Sequence, residues 1–415
     1  MNHPTHVTNL TKYAEVIVKI GLNLQPGQRL LIRTFGPVET VAPLVRQVSR
    51  CAYETGARLV EVIWSDEEID QIRFETAALE SFSEISGWTI NAAMSVAEHD
   101  DAYLTIYGTD PDATADVDPA KIGRMRKAIG KKGAAFTQMM TSMDFNWCIA
   151  GAANAKWAAK IFPDKAAEEQ LDCLWAAIFD FARVTQPDPI AAWKSHLKNL
   201  EQRQQHLNQK QYHALHFRGP GTDLTVGLVK DHIWISGATE SKSGSQFVIN
   251  IPTEEIFTMP DANRVDGEVR ASMPLNVNGT IIKDLWFKIK NGKIVDFDAK
   301  SGKALLSTLL ESDAGAKRLG EVALVPQSSP IARRNTLFYH TLFDENASNH
   351  VALGRAYPIT IKNGTSLSPE ELAAAGGNIS IIHIDFMIGS TKMTVDGITS
   401  DGKREGIMTN GDWSF

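Results

Sequence analysis

Cysteine is scarce in this 415-residue chain, and Cys51, Cys148 and Cys173 sit in apolar surroundings without CxxC spacing. That argues against a disulfide framework and a cysteine-based zinc site, and fits reduced thiols in a cytoplasmic protein. Long hydrophobic runs are missing too: none reaches the roughly 18 residues that span a bilayer. Met1 to Thr11 lacks the basic-then-apolar pattern of a secretory leader, so neither membrane insertion nor export is expected. Positive charge is not in excess, and the formal net charge of -7 argues against general nucleic-acid binding. The chain has no GxSxG, and no cysteine has a histidine close to it in sequence, which disfavours nucleophile-based hydrolysis. HExxH is absent, which disfavours a single-zinc helix-based protease, and there is no GxGxxG between Arg58 and Tyr107.

What is present describes a globular protein, with 43% hydrophobic and 22% charged residues. At roughly 150 residues per domain, two or three domains are expected. The first half alternates strand and helix signals: RLLIR at Arg29–Arg33, an amphipathic stretch at Val38–Thr55, LVEVIW at Leu59–Trp64, AYLTIY at Ala102–Tyr107, a helical pattern near Pro119–Ile129 and a strand at Trp147–Ala150. Alternation of this kind predicts an α/β domain with a mostly parallel sheet flanked by helices. The GKKG stretch at Gly130–Gly133 reads as a turn without the flanks of a phosphate loop. QPDP at Gln186–Pro189 is the clearest break, so residues 1–187 are expected to form a scaffold and substrate-access domain and 188–415 a second domain. A polar helix at Ile190–Tyr212, read as a solvated connector, opens the second domain. Strands follow at Ala214–Phe217, Leu224–Leu228, Gln246–Ile251, Gly279–Ile289 and Lys293–Phe297, with an Asn-Gly hairpin turn at Gly292. This predicts an α+β, β-rich C-terminal domain.

The last third places Glu255, Glu321, Glu345, His350, His383 and Asp385 among apolar, strand-like or glycine-punctuated sequence. Removing an ionised carboxylate from water costs several kcal/mol or more unless a cation compensates, so two divalent ions would balance these four carboxylates. In ISIIHIDFMIGS, strand alternation projects His383 and Asp385 from one face while Ile382, Ile384 and Phe386 take the other. Glu321 heads an otherwise apolar strand. LFDENASNHVALGRAY holds Asp344, Glu345, Asn346, Asn349, His350 and Tyr357 within sixteen positions; helix capping is the ordinary use of Asp344 and Asn346. Gly354 would allow a close backbone turn. Between Glu254 and Glu255 the residue pattern does not choose, one of them being free to be a surface charge. Zn, Co, Mn or Mg would suit such oxygen-rich sites with two imidazoles.

The segments PTEEIFTMPD, RLGEVALVP, LFDENASNHVALGRAY and HIDFMIGS, in this order, and KYAEVIVKIGLNLQPGQRLLI near the start, resemble the aminopeptidase T and aminopeptidase S family of two-metal exopeptidases. The resemblance spans nearly the whole chain. It implies that Glu255, Glu321, Glu345, His350, His383 and Asp385 bind two divalent ions, that Tyr357 assists catalysis, and that Glu255 rather than Glu254 is the ligand. Glu321 is the natural bridge between the ions. The implied activity is release of single N-terminal residues from peptides with a free N-terminus, by a homodimer. Two alternatives stand beside it: a two-metal hydrolase of another amide or phosphoester, which Arg333, Arg334 and Arg355 keep open, and a non-catalytic protein holding structural ions.

Overall fold

The computed structural model describes residues 4–277 and 279–415; residues 1–3, within the expected first domain, lie outside it. The chain divides into two compact units, one reaching to His196 and including Ala238–Pro252, the other comprising Leu197–Gly237 and Thr253–Phe415. In the first unit, Leu59–Ile63, Arg29–Phe35, Ala102–Tyr107, Trp147–Gly151 and Asn250–Ile251 lie side by side, all parallel. Ala102–Tyr107 holds the middle and is almost wholly buried, as its unbroken apolar run requires. Leu59–Ile63 is an edge, and its alternate residues are exposed.

One helix corrects the sequence reading. Pro119–Thr141 runs straight through Gly130 and Gly133, where a turn was expected. Its start is fixed by the Asp118 side chain, which accepts from Ala120 N–H, with Pro119 in the first turn. Each internal glycine costs about 1 kcal/mol relative to alanine, too little to break a helix of this length. The helix Pro189–Lys210 is also more than a solvated connector: Trp193, Leu200 and Leu207, spaced by seven, are at most 1% exposed.

The second unit is antiparallel. An eight-stranded sheet runs in the order Lys293–Asp298, Trp286–Lys290, Pro260–Arg270, Thr222–Leu228, Ala214–Gly219, Thr394–Ile398, Arg404–Thr409, Asp412–Trp413. The Asn291-Gly292 turn joins its first two strands with both residues at positive φ, as a tight hairpin needs. The single strand expected over Gly279–Ile289 is two, Thr280–Ile282 and Trp286–Lys290, in different sheets. A five-stranded sheet runs His383–Met387, His350–Gly354, Leu319–Leu324, Ile256–Thr258, Ile235–Ser236. The two sheets share one core, in which Phe287 of the larger meets Phe386 of the smaller edge to face at 5.3 Å.

Candidate metal centre

Alternation along the five-stranded sheet separates core from chemistry. Ile256, Val322, Leu324, Val351, Leu353 and Phe386 point into the shared core. The intervening positions point the other way. Glu321 pairs with Ala352 and Ala352 with Asp385, while His383 pairs with Gly354; residues opposed across antiparallel strands share a face. Ala323, Ala352 and Gly354 are thus the small neighbours that leave room between the larger donors. Glu255 immediately precedes Ile256, and Glu345 enters from the short helical turn Glu345–Ala347 just before the His350 strand.

A β-bulge sets the far end of the Glu321 strand. Leu319 pairs with Leu353 and Glu321 with Ala352, so Gly320 is the extra residue. A Cβ on Gly320 would lie 2.2 Å from the Gly354 carbonyl oxygen and 2.4 Å from that of Arg355. The Arg355 carbonyl in turn lies 2.7 Å from His383 Nδ1. Gly354 itself has φ +95, and a Cβ there would strike the Ile382 carbonyl at 2.2 Å.

The donors converge on Glu321. His350 Nε2 is 3.2 Å from Glu255 Oε2 and 3.5 Å from Glu321 Oε1; His383 Nε2 is 3.8 Å from Glu321 Oε2 and 3.2 Å from Asp385 Oδ1. Two triplets result, Glu255–Glu321–His350 and Glu321–His383–Asp385, each with donor atoms within 4.8 Å of one another. Glu321 belongs to both.

These atoms suit a cation. His350 Nδ1 lies 3.1 Å from the Ser348 carbonyl and His383 Nδ1 2.7 Å from that of Arg355, so each ring donates through Nδ1 and turns Nε2 to the carboxylates. Asp385 Oδ1 is buried and accepts no hydrogen bond of good geometry. With protein atoms alone, the cluster keeps protons it would otherwise lose. Burial raises Glu321 above the usual carboxylate range, and burial followed by Glu255 and Asp385 raises Glu345 well above it. For His350 burial works downward, yet hydrogen bonds to Glu255 and Glu321 carry it well above its ordinary value. His383, likewise opposed by burial, is raised to about 9 by Asp385 and then Glu321. Asp385 is held low against its own burial by the facing His383. Cations at these positions would displace the protons.

Tyr357 lies over the same face. Its ring centroid is 4.7 Å from that of His383 and 6.2 Å from that of Phe257. Burial first, then the Glu321 and Asp385 carboxylates, push its phenol above the ordinary value, so the hydroxyl keeps its proton.

The model of the thermophilic metalloprotease (M29) family matches residues 6–413. The chain belongs to this family. Among its relatives are Aminopeptidase 2 of Geobacillus stearothermophilus, 47% identical over 98% of both chains, and aminopeptidase AmpS of Bacillus subtilis, 43% identical over 98% of both. The solved structure of wild-type AmpT from Thermus thermophilus superimposes with a TM-score of 0.92 at 40% identity, covering 98% of this chain and 99% of that one.

In this M29 metalloprotease several residues have roles that the sequence reading missed. Glu254 is no surface charge: it is 3% exposed, its N–H donates to Asn346 Oδ1 at 2.6 Å, and its charge acts on Arg203. Asp344 and Asn346 are not helix caps. Asp344 accepts from Phe338 N–H and His340 N–H, closing the loop before the ligand segment, with burial raising it to about 7. Asn346 ties the Glu255 segment to the Glu345 turn by also donating to the Leu342 carbonyl at 3.0 Å. Asn349 Oδ1 accepts from Val325 N–H at 2.8 Å. The density of asparagine in LFDENASNH was the available signal. Arg355 has an exposed side chain and contributes its carbonyl, while Arg333 and Arg334 are exposed. Asn346→Ala is expected to lower unfolding stability by about 1–3 kcal/mol, because it strands buried backbone groups. Urea unfolding of the metal-free variant checks this, and a change near zero would remove Asn346 as the tie.

Proposed function

We propose that this metal-dependent aminopeptidase holds two divalent ions at Glu255, Glu321, Glu345, His350, His383 and Asp385, and releases single residues from peptides with a free N-terminus. The observation that carries the reading is the double membership of Glu321, whose two oxygens each face a different histidine. When bound, the ions would polarise the scissile carbonyl and bring the pKa of water towards neutrality. Glu321 would bridge them, held rigidly by its strand. His350 and His383 would present Nε2, kept in that tautomer by the carbonyls behind them. Tyr357 would donate its hydroxyl proton as a hydrogen bond to the oxygen that gains charge as the carbonyl is attacked. Four carboxylates with two imidazoles accommodate Zn, Co, Mn or Mg.

We assign the catalytic role to the unit of Leu197–Gly237 and Thr253–Phe415, which holds all six proposed ligands, and the scaffold and access role to the other. The free thiols of the buried Cys51 and Cys148 support a cytoplasmic setting. A homodimer is supported by exposed apolar residues on the edge strand of the first unit and just after it, Leu59, Trp64, Ile69 and Ile72. Light scattering at micromolar concentration should give twice the chain mass.

Leucine-p-nitroanilide hydrolysis by protein as purified, after chelation, and after adding back each of the four ions tests the central reading. Activity should vanish on chelation with the fold retained by circular dichroism, and return with metal. Hydrolysis of aryl phosphates instead would favour a different bond, and unfolding on chelation without hydrolysis of either would favour structural ions.

A further inference from the structure

The face that carries the ligand atoms is not polar throughout. Phe257 pairs with Ala323 on one side and Ile235 on the other, and Ala323 pairs with His350. Ile235, Phe257, Ala323 and His350 therefore form one row across the ligand face. Alternation sends Trp234 and Ile256 to the opposite side, where both are fully buried. Phe257 and Ile235 keep part of their surface accessible. At the usual strand spacing Phe257 stands about 10 Å from His350, with the fully buried Ala323 between them in the row.

The Phe257 ring is held edge to face against Tyr357, at 6.2 Å and 69°. An aromatic wall thus runs from His383 through Tyr357 to Phe257, and Ile235 extends it. Apolar side chains left half-covered beside a cluster of carboxylates give up water most readily to an apolar guest. A charged guest would be desolvated there without a partner.

We propose that Phe257 and Ile235 form the subsite for the side chain of the N-terminal residue and select aliphatic and aromatic residues over glycine. The proposal rests on the aminopeptidase reading of the centre. The row geometry supplies the reason: the ligands stand at one end and the partly accessible Phe257 and Ile235 at the other, so a residue whose amine meets the centre would lay its side chain against these two.

Phe257→Ala and Ile235→Ala are tested with glycine, alanine and leucine p-nitroanilides, alongside metal content per chain. Each variant should lower the leucine-to-glycine ratio of kcat/KM by about tenfold or more, with bound metal and the glycine rate unchanged. An unchanged ratio overturns the proposal. So does an equal fall on all three substrates, which would make Phe257 a positioning residue for Tyr357. Ile235→Ala carries the same test if Phe257→Ala loses its circular dichroism. A wild-type protein inactive on all three substrates with every added ion would sink the aminopeptidase reading and this one with it, whereas wild-type activity with unchanged variant ratios sinks this one alone.

Discussion

Glu321→Gln is expected to lose at least about a thousandfold in kcat, since several kcal/mol of charge stabilisation disappear at tenfold per ~1.4 kcal/mol. The amide matches the carboxylate in size, but its nitrogen has no lone pair to give, so one of the two histidine-facing positions loses its donor. Metal analysis should show fewer than two ions per chain. The metal-free variant should unfold at the same temperature as the metal-free wild type or higher. Burial already raises the Glu321 carboxyl above its ordinary value, so in the folded state without metal its ionisation at neutral pH is a cost that glutamine lacks. Full activity with two bound ions would remove Glu321 from the bridge; a collapse of metal-free stability would make it a structural residue.

Tyr357→Phe should lower kcat by about 10², the cost of losing one hydrogen-bond donor to a developing oxyanion, and leave metal content at the wild-type level. The ring contacts with His383 and Phe257 survive the change, since phenylalanine keeps the ring. Because burial and the neighbouring carboxylates keep the phenol protonated, the tyrosine would serve as a donor rather than a base. Normal turnover in the variant would exclude it from the reaction. Loss of metal would show that it shapes the site instead.

Much of this was legible in the chain. Short apolar runs marked the parallel strands, and period-two alternation marked the two faces of the His383 strand, because burial on one side of a sheet writes itself into alternate residues. The candidate ligands stood out because carboxylates are conspicuous in apolar sequence, while the preference for Glu255 over Glu254 came from the family resemblance alone. The helix through Gly130 and Gly133 was hidden, since glycine propensity is a weak local term that the Asp118 cap and the flanking residues outweigh. The burial of Glu254 was hidden for a different reason: neighbouring carboxylates look alike until the fold turns one towards His350 and leaves the other buried, with its charge acting on Arg203. The first unit's claim on Ala238–Pro252 was invisible as well, because a strand of two residues, Asn250–Ile251, carries no periodicity.

Gly320 contributes no donor atom, yet a methyl group there would occupy the space of the carbonyl that orients His383. Anyone grafting the six proposed ligands onto another antiparallel sheet would therefore obtain the donors without their aim unless the bulge and its bare glycine were carried along. The portable unit is the ligand set together with the vacancy at Gly320, and a search keyed to charged residues would copy only half of it.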